Sequence, residues 1–216
     1  MQYKVVNRKT ESSHVVRRMG RIQMFLKRSV DIVCALLGLI LLSPVFLVIY
    51  ITLLLQCDGK VIFKQERIGY KGRPFQIYKF RTMHMDAESN GQQLAEKNDD
   101  RLTRAGRFLR MHHLDELPQF WNVLKGDMSM VGPRPERQYF IDKIMKEDSR
   151  YRCLYQVRPG VTSEATLYNG YTYTLDKMLE RLSMDLRYVE TATLLSDFSI
   201  MFKTIRIIVM GDGKSA

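Results

Sequence analysis

KRSVDIVCALLGLILLSPVFLVIYITLLLQCD, residues 27–58, is the stretch that decides the fold. Residues 32–55 run for 24 positions without a formal charge, which is membrane length for a helix rising about 1.5 Å per residue through a hydrocarbon core of about 30 Å. The run is too long for the apolar part of a signal peptide. Gln56, Cys57, Asp58 and Gly59 follow it in place of a small-residue cleavage site, so it is expected to stay with the mature chain. Ser43 and Pro44 fall at its middle, where proline removes a backbone donor and crowds the preceding turn, and the helix must bend there. Each half is then about a dozen residues, about 17 Å, and too short to cross alone. The Ser43 hydroxyl is placed to bond the carbonyl that Pro44 leaves free. Basic residues flank both ends: Arg17, Arg18, Arg21, Lys27 and Arg28 before, Lys60, Lys64, Arg67, Lys71 and Arg73 after. Such residues mark the cytoplasmic side. A re-entrant helix that turns at Ser43-Pro44 and leaves by the face it entered satisfies both flanks. A proline-kinked spanning helix is the alternative, and periodicity alone does not choose.

Outward from this run, the chain of 216 residues is 45% hydrophobic, enough for one folded domain. Its three cysteines, Cys34, Cys57 and Cys153, have no paired short spacing, which excludes a disulfide framework or zinc ribbon and suits a reducing compartment. The 34 Lys and Arg against 23 Asp and Glu give a net charge of +11. A basic chain invites a nucleic-acid reading. The charge is clustered, however: residues 1–28 hold eight basic residues against Glu11 alone, and residues 60–81 hold seven against Glu66 alone. The first cluster suits anionic lipid at the cytoplasmic surface.

Residues 61–83, VIFKQERIGYKGRPFQIYKFRTM, alternate apolar and basic positions around a turn-like segment at 69–74, which predicts a pair of short strands. Lys79 and Arg81 on that pair are candidates for holding a nucleotide diphosphate or a lipid headgroup; a solvated strand pair beside the membrane is the plainer reading. Residues 84–100 read as a polar helix or loop with no evident chemistry. Arg101, Arg104, Arg107 and Arg110 then recur every three residues through a short amphipathic segment, which gathers guanidinium groups near one face.

Immediately after come His112, His113, Leu114, Asp115 and Glu116, then Leu117, Phe120, Trp121 and Leu124 at helical spacing, with Gly126 as a stop. Asp115 is therefore expected at or near a helix N-cap, with Pro118 in the first turn. An N-cap carboxylate is a common structural role. Against it stands Glu116, turned about 100° around the helix toward a different partner. Arg110 nearby would keep a carboxylate ionised while attracting phosphate. An ionised carboxylate beside bound phosphate is what nucleophilic attack at phosphorus requires. Carboxylates among phosphates also recruit Mg2+, for which Asp115 is the candidate ligand. In Gly132-Pro133-Arg134-Pro135 the second proline pushes Arg134 into extended backbone, so a stiff segment could present its guanidinium for bidentate grip on phosphate; a proline-rich turn with an exposed arginine is the plainer reading of these four residues alone.

Taken in order, Lys27-Arg28 and Asp31 before an apolar run broken at Ser43-Pro44, then FKQERIGYKGRPFQIYKFRTM, LDELPQFWNVLKGDMSMVGPRPE and RPGVT, the sequence resembles the bacterial sugar transferases, the monotopic phosphoglycosyl transferases, over residues 24–210. Its length is similar to their minimal catalytic form. The resemblance implies transfer of a sugar 1-phosphate from a UDP-sugar to undecaprenyl phosphate with release of UMP, at the cytoplasmic face of the bacterial inner membrane. It implies an attacking Asp115 that forms a covalent phosphosugar intermediate, Glu116 as its partner, a Mg2+ requirement, and phosphate-site roles for Arg110, Arg134 and, in RPGVT, Arg158. It also implies re-entry at Ser43-Pro44. The chain departs from the family at Val161, Ser163 and Glu164, and has Tyr171 where an arginine commonly follows Asn-Gly, which bears on the sugar preference. Asp185 and Asp197 match acids common in the family, with catalytic and structural roles both open.

Toward the C-terminus, Met178, Leu179, Leu182, Leu186 and Val189 recur at helical spacing and suit a core helix. Phe198, Met201, Phe202, Ile205, Ile208 and Val209, with Lys203 and Arg206 opposite, suit an amphipathic helix lying on the membrane. The expected fold is α+β and mostly helical. It has a basic segment at 1–28, a re-entrant membrane helix at 29–58, a cytoplasmic catalytic region of the same domain at 59–210 and a tail at 211–216. The implied partners are a UDP-sugar, undecaprenyl phosphate and inner-membrane lipid, with a homo-oligomer left open and nucleic acid excluded. A non-catalytic membrane scaffold that binds nucleotide or anionic lipid is the competing class.

Overall fold

The apolar run breaks where its proline requires. Two helices, α1 (Arg21–Leu41) and α2 (Ser43–Gln56), meet at a bend of 61°. Pro44 offers no N–H to the Ile40 carbonyl, and the Ser43 hydroxyl donates to it instead at 2.8 Å. The computed structural model describes residues 15–56, 59–87, 99–169 and 174–210. Among these no single helix is long and apolar enough to cross a membrane; only the bent pair together reaches that length. The two halves are unequal, 21 and 14 residues against the expected dozen each. The first half gains its length by starting at Arg21, because an apolar stripe through Ile22, Phe25 and Leu26 already extends ahead of the uncharged run.

One face of the pair is committed to the rest of the protein. Lys27, Asp31 and Ala35, spaced four apart on α1, are buried, as are Ile49 and Leu53 on α2. Gly38 continues the α1 face, where a Cβ would stand 2.6 Å from the Phe120 ring, so glycine permits the close approach. The opposite face, with Leu37, Ile40, Leu41, Leu47, Ile51 and Leu55, is exposed. Apolar surface of this extent marks an interaction with lipid or protein.

Beyond the pair come β1 (Ile62–Ile68) and β2 (Pro74–Phe80), then α3 (Arg104–Met111), a 3-10 turn at Leu114–Glu116, α4 (Gln119–Lys125) and β3 (Ser129–Val131). These are followed by α5 (Gln138–Glu147), a 3-10 run at Ser149–Gln156, β4 (Gly160–Thr162), α6 (Glu164–Asn169), α7 (Leu175–Thr191) and α8 (Leu194–Met210). β1 and β2 form the expected hairpin, in register from Ile62↔Phe80 to Ile68↔Pro74. Its turn places Lys71 and Gly72 at positive φ, 59° and 69°. The second sheet, β3 parallel to β4, is not foreshadowed by any sequence pattern.

The largest core cluster gathers Phe140, Ile141 and Ile144 of α5, Leu154, and Met178, Leu182, Leu186 and Val189 of α7. α7 is thus the core helix its spacing predicts. On α8, Ile200 is buried while Leu195, Phe198, Phe202 and Ile205 are exposed, which is the two-faced pattern expected of an interfacial helix. The N-terminal segment departs from expectation. Residues 15–20 do not simply present charge to lipid: Val15 and Met19 are buried in the core. Gln156 Nε2 donates to Val15 O at 2.7 Å, and Arg18 N–H donates to Val189 O at 3.1 Å. The base of α1 is fixed by a buried ionic latch in which Lys27 Nζ lies 2.6 Å from Asp197 and 3.8 Å from Asp31. The Tyr188 hydroxyl donates to Asp197 at 2.8 Å, and Asp31 accepts Met130 N–H at 3.0 Å. Asp197 is therefore a structural acid that joins α8 to α1.

Candidate active site

Asp115 and Glu116 sit in the 3-10 turn between α3 and α4, one turn earlier than an N-cap. His113 adopts φ 54°, which ends α3, and Leu114–Glu116 closes the turn before Pro118 can cap α4. Leu114 and Leu117, on either side of the two acids, pack into a cluster with Phe46, Ile49 and Leu53 of α2. The pair of carboxylates is thus seated directly against α2.

The two acids have opposite surroundings. Glu116 is 2.6 Å from Lys79 Nζ and 2.9 Å from Arg134 Nη2. Burial alone would push its carboxyl up, but Arg134 and Lys79 overcome that and hold it well below the usual range. Asp115 is equally buried, and its carboxylate accepts no hydrogen bond among the described residues. Burial pushes the Asp115 carboxyl upward; Lys79, Arg110 and His113 pull it down, while the charge of Glu116 adds to the rise. The expectation that Arg110 holds this carboxylate low is therefore reversed in its net result. Arg110 also faces Asp99, at 3.7 Å, and Asp99 binds Arg101 at 2.6 Å. Residues 84–100 do hold one group of consequence, Asp99, while 88–98 lie outside the described residues.

Lys79 is aimed by its strand. Among the described residues β2 pairs with a strand on one edge only, and Asn122 of α4, fully buried, takes the other: its Oδ1 accepts Tyr78 N–H at 3.0 Å and its Nδ2 donates to Gln76 O at 2.7 Å. The carboxamide does the work of a neighbouring strand and fixes the backbone next to Lys79. Arg134 is aimed by its loop. Gly132 lies so close to residues 158–160 that a Cβ would stand 2.4 Å from Arg158 O. Beneath the loop Glu136 pairs with Arg181 and, at 3.1 Å, with Arg67.

The structure therefore brings together Asp115, Glu116, Lys79, Arg110 and Arg134. Arg81 and Arg158 lie apart from them: Arg81 Nε donates to Lys60 O at 2.7 Å, and Arg158 Nε donates to Gly126 O at 2.9 Å with its guanidinium 5.2 Å from the Tyr70 ring centroid. Arg158 thus helps close the C-terminal end of α4, which the spacing in RPGVT cannot reveal. Asp185 is buried on α7, where Arg181 and Arg134 pull against the rise that burial gives its carboxyl. Glu136 and Arg181 carry no local signal, because their role exists only where α7 packs beneath the loop. Tyr171 lies outside the described residues.

No group of three or more His, Cys, Asp or Glu among the described residues is arranged to hold a metal ion. Mg2+ commonly binds through one or two carboxylates plus substrate phosphates and water. Glu116 is saturated by two cations, so Asp115 is the carboxylate of this pair that fits such a role.

Asp185 gives a direct stability test. Burial pushes its carboxyl up to about 7 against the pull of Arg181. A raised folded-state value means stability that is present at acid pH and lost as pH rises through about 7. Asp185→Asn, an isostere of the neutral form, is expected to be more stable than the parent at both pH 5 and pH 8, with the gain at pH 8 larger by on the order of 1–3 kcal/mol. Thermal melts at the two pH values check this; an equal shift at both would refute it.

Residues 22–211 match the family model described as bacterial sugar transferase. The chain is 42% identical over 192 residues to a UDP-N-acetylgalactosamine-undecaprenyl-phosphate N-acetylgalactosaminephosphotransferase of Aeromonas hydrophila, covering 89% of this chain and 45% of that protein. It is 39% identical to a UDP-glucose:undecaprenyl-phosphate glucose-1-phosphate transferase of Caulobacter vibrioides, covering 86% and 70%. To the protein of the same name in Escherichia coli it is 40% identical, covering 85% and 40%. The chain thus spans less than half the length of the first and third of these relatives.

Proposed function

Because the chain belongs to the bacterial sugar transferases, we propose that it transfers a sugar 1-phosphate from a UDP-sugar to undecaprenyl phosphate through a covalent Asp115 intermediate. The observation that carries this reading is the contrast between two adjacent buried carboxylates, one clamped by Lys79 and Arg134 and one without a hydrogen-bond donor. A nucleophile must keep a lone pair available. An Asp115 oxygen attacks the sugar-bearing phosphorus and forms a new P–O bond. The bond to the bridging oxygen breaks, and UMP leaves with that oxygen and its electron pair. The phosphate oxygen of the polyprenyl acceptor then attacks the same phosphorus, which forms the diphosphate linkage and returns Asp115 as carboxylate. Lys79, Arg110 and Arg134 are the cations near enough to stabilise charge on the phosphoryl oxygens. Mg2+ on Asp115 and the donor diphosphate would add charge neutralisation.

In this reading α1 and α2 form a re-entrant element in the bacterial inner membrane with both ends on the cytoplasmic side. The exposed face of α8 lies at the same surface. The two helices present apolar residues outward and basic flanks at both ends, as such a geometry requires.

The test is a panel of UDP-glucose, UDP-galactose and UDP-N-acetylgalactosamine with undecaprenyl phosphate and Mg2+. One donor is expected to give UMP in equal amount to the lipid diphosphate sugar, and chelation of Mg2+ is expected to stop both. Failure of every UDP-sugar to release UMP would sink the proposal.

A further inference from the structure

Of the four arginines spaced by three, two are absorbed by the site and two are not. Arg101 and Arg110 engage Asp99. Arg104 and Arg107 are exposed and have no ion-pair partner among the described residues. On α3 they share a face with Phe108 and Met111, since these four positions follow the i, i+3, i+4, i+7 pattern of one helix side. Phe108 is 55% exposed and Met111 41%. The opposite face is fixed. Ala105 and Leu109 pack with Ile49 and Leu53 of α2, and Gly106 lies against the Thr82 backbone so closely that a Cβ would stand 1.9 Å from its carbonyl oxygen.

A helix that turns two guanidinium groups and two large apolar side chains outward, while its back rests on the membrane-type helix, is suited to an amphipathic anion with a long apolar tail. Its C-terminal end leads within four residues to Asp115. Resting on the transferase reading above, we infer that this face of α3 captures the acceptor ahead of transfer: Arg104 and Arg107 first gather the phosphate of the polyprenyl phosphate, which then passes along α3 to Asp115, and Phe108 and Met111 take up the first isoprene units. The charge favours this lipid over bulk phospholipid. A terminal phosphomonoester carries about −1.5 to −2 near neutral pH, whereas a phosphodiester headgroup such as that of phosphatidylglycerol carries one negative charge. Two adjacent guanidinium groups match the first better.

The experiment uses the full chain in nanodiscs of neutral phosphatidylcholine with graded undecaprenyl phosphate. The paired substitution Arg104→Gln, Arg107→Gln is expected to raise the acceptor level needed for half-maximal rate at least tenfold. The half-saturating UDP-sugar and the UMP burst formed from donor alone should stay within twofold of the parent. Arg104→Lys with Arg107→Lys should recover most of the loss, because the charge is kept. An unchanged acceptor requirement in the glutamine pair overturns the inference. So does a parent whose acceptor requirement rises severalfold when phosphatidylglycerol replaces a fifth of the neutral lipid, since the face would then bind anionic lipid in general. Absence of a UMP burst in the parent refutes the transferase reading itself, and this inference falls with it.

Discussion

Asp115→Asn is expected to abolish turnover, with UMP release falling at least about 10³-fold, while the protein folds as well as the parent or better. The two halves of this result have one cause. Asp115 is buried, accepts no hydrogen bond among the described residues, and its carboxyl is pushed upward, so the ionised form is the costly one in the folded protein. A raised folded-state value is stability present at acid pH and lost as pH rises through it. An amide of the same shape removes that cost and removes the nucleophile together, so the gain in melting temperature should widen toward alkaline pH. Only the ionised form attacks, so without a cation on Asp115 the rise of its carboxyl above the ordinary carboxylate range favours the inactive protonated form, and a bound Mg2+ would oppose that rise. Glu116 is held well below that range and should not titrate within the active window. An Asp115→Asn variant that releases UMP as fast as the parent would disprove the nucleophile assignment.

Gly160→Ala is the second large effect, and it acts through backbone. A Cβ at residue 160 would stand 2.1 Å from Gly132 N and 2.5 Å from both Gly132 O and Thr162 O. No rotamer relieves a clash between main chains, so the parallel pairing of β3 and β4 must open. Gly160 N–H donates to Pro133 O at 2.9 Å, and Gly132 N–H to Thr162 O at 3.0 Å. These bonds set the loop that carries Arg134 to Glu116. The expected loss is about 3 kcal/mol or more, seen as a lower denaturation midpoint. Residual activity should fall further than the folded fraction, because Arg134 is displaced even where the chain folds. A variant with parent stability and parent turnover would show that this backbone crossing does not support the site.

The sequence is most readable where structure is local. The break at Ser43-Pro44, the β1–β2 hairpin and the stripe of α7 each follow from a period or a breaker that acts within a few residues. Asp115 and Glu116 stand out because two acids follow a run of arginines. The contrast between them does not, since Lys79 and Arg134 reach Glu116 from 37 and 18 residues away. β3 and β4 are three residues each and meet 31 residues apart, from Ser129 to Gly160. Such short strands form only because the fold brings their backbones together. Arg158 fails in the same way: RPGVT announces an arginine beside a proline, and only packing shows that it serves the end of α4.

The latch at the base of α1 also bears on how the protein is made. Lys27 and Asp197 are 170 residues apart. At a synthesis rate of about 5–20 residues per second, some 10–30 s pass between the appearance of the lysine and that of its partner. Throughout that interval Lys27 has only Asp31 beside it on α1, and in the re-entrant geometry proposed above a charged pair resists moving deeper into hydrocarbon. The same two residues that later lock the finished domain onto its helix can therefore act as a stop during biogenesis. In that geometry they would hold the nascent helix at a fixed depth until α8 arrives to close the structure over them.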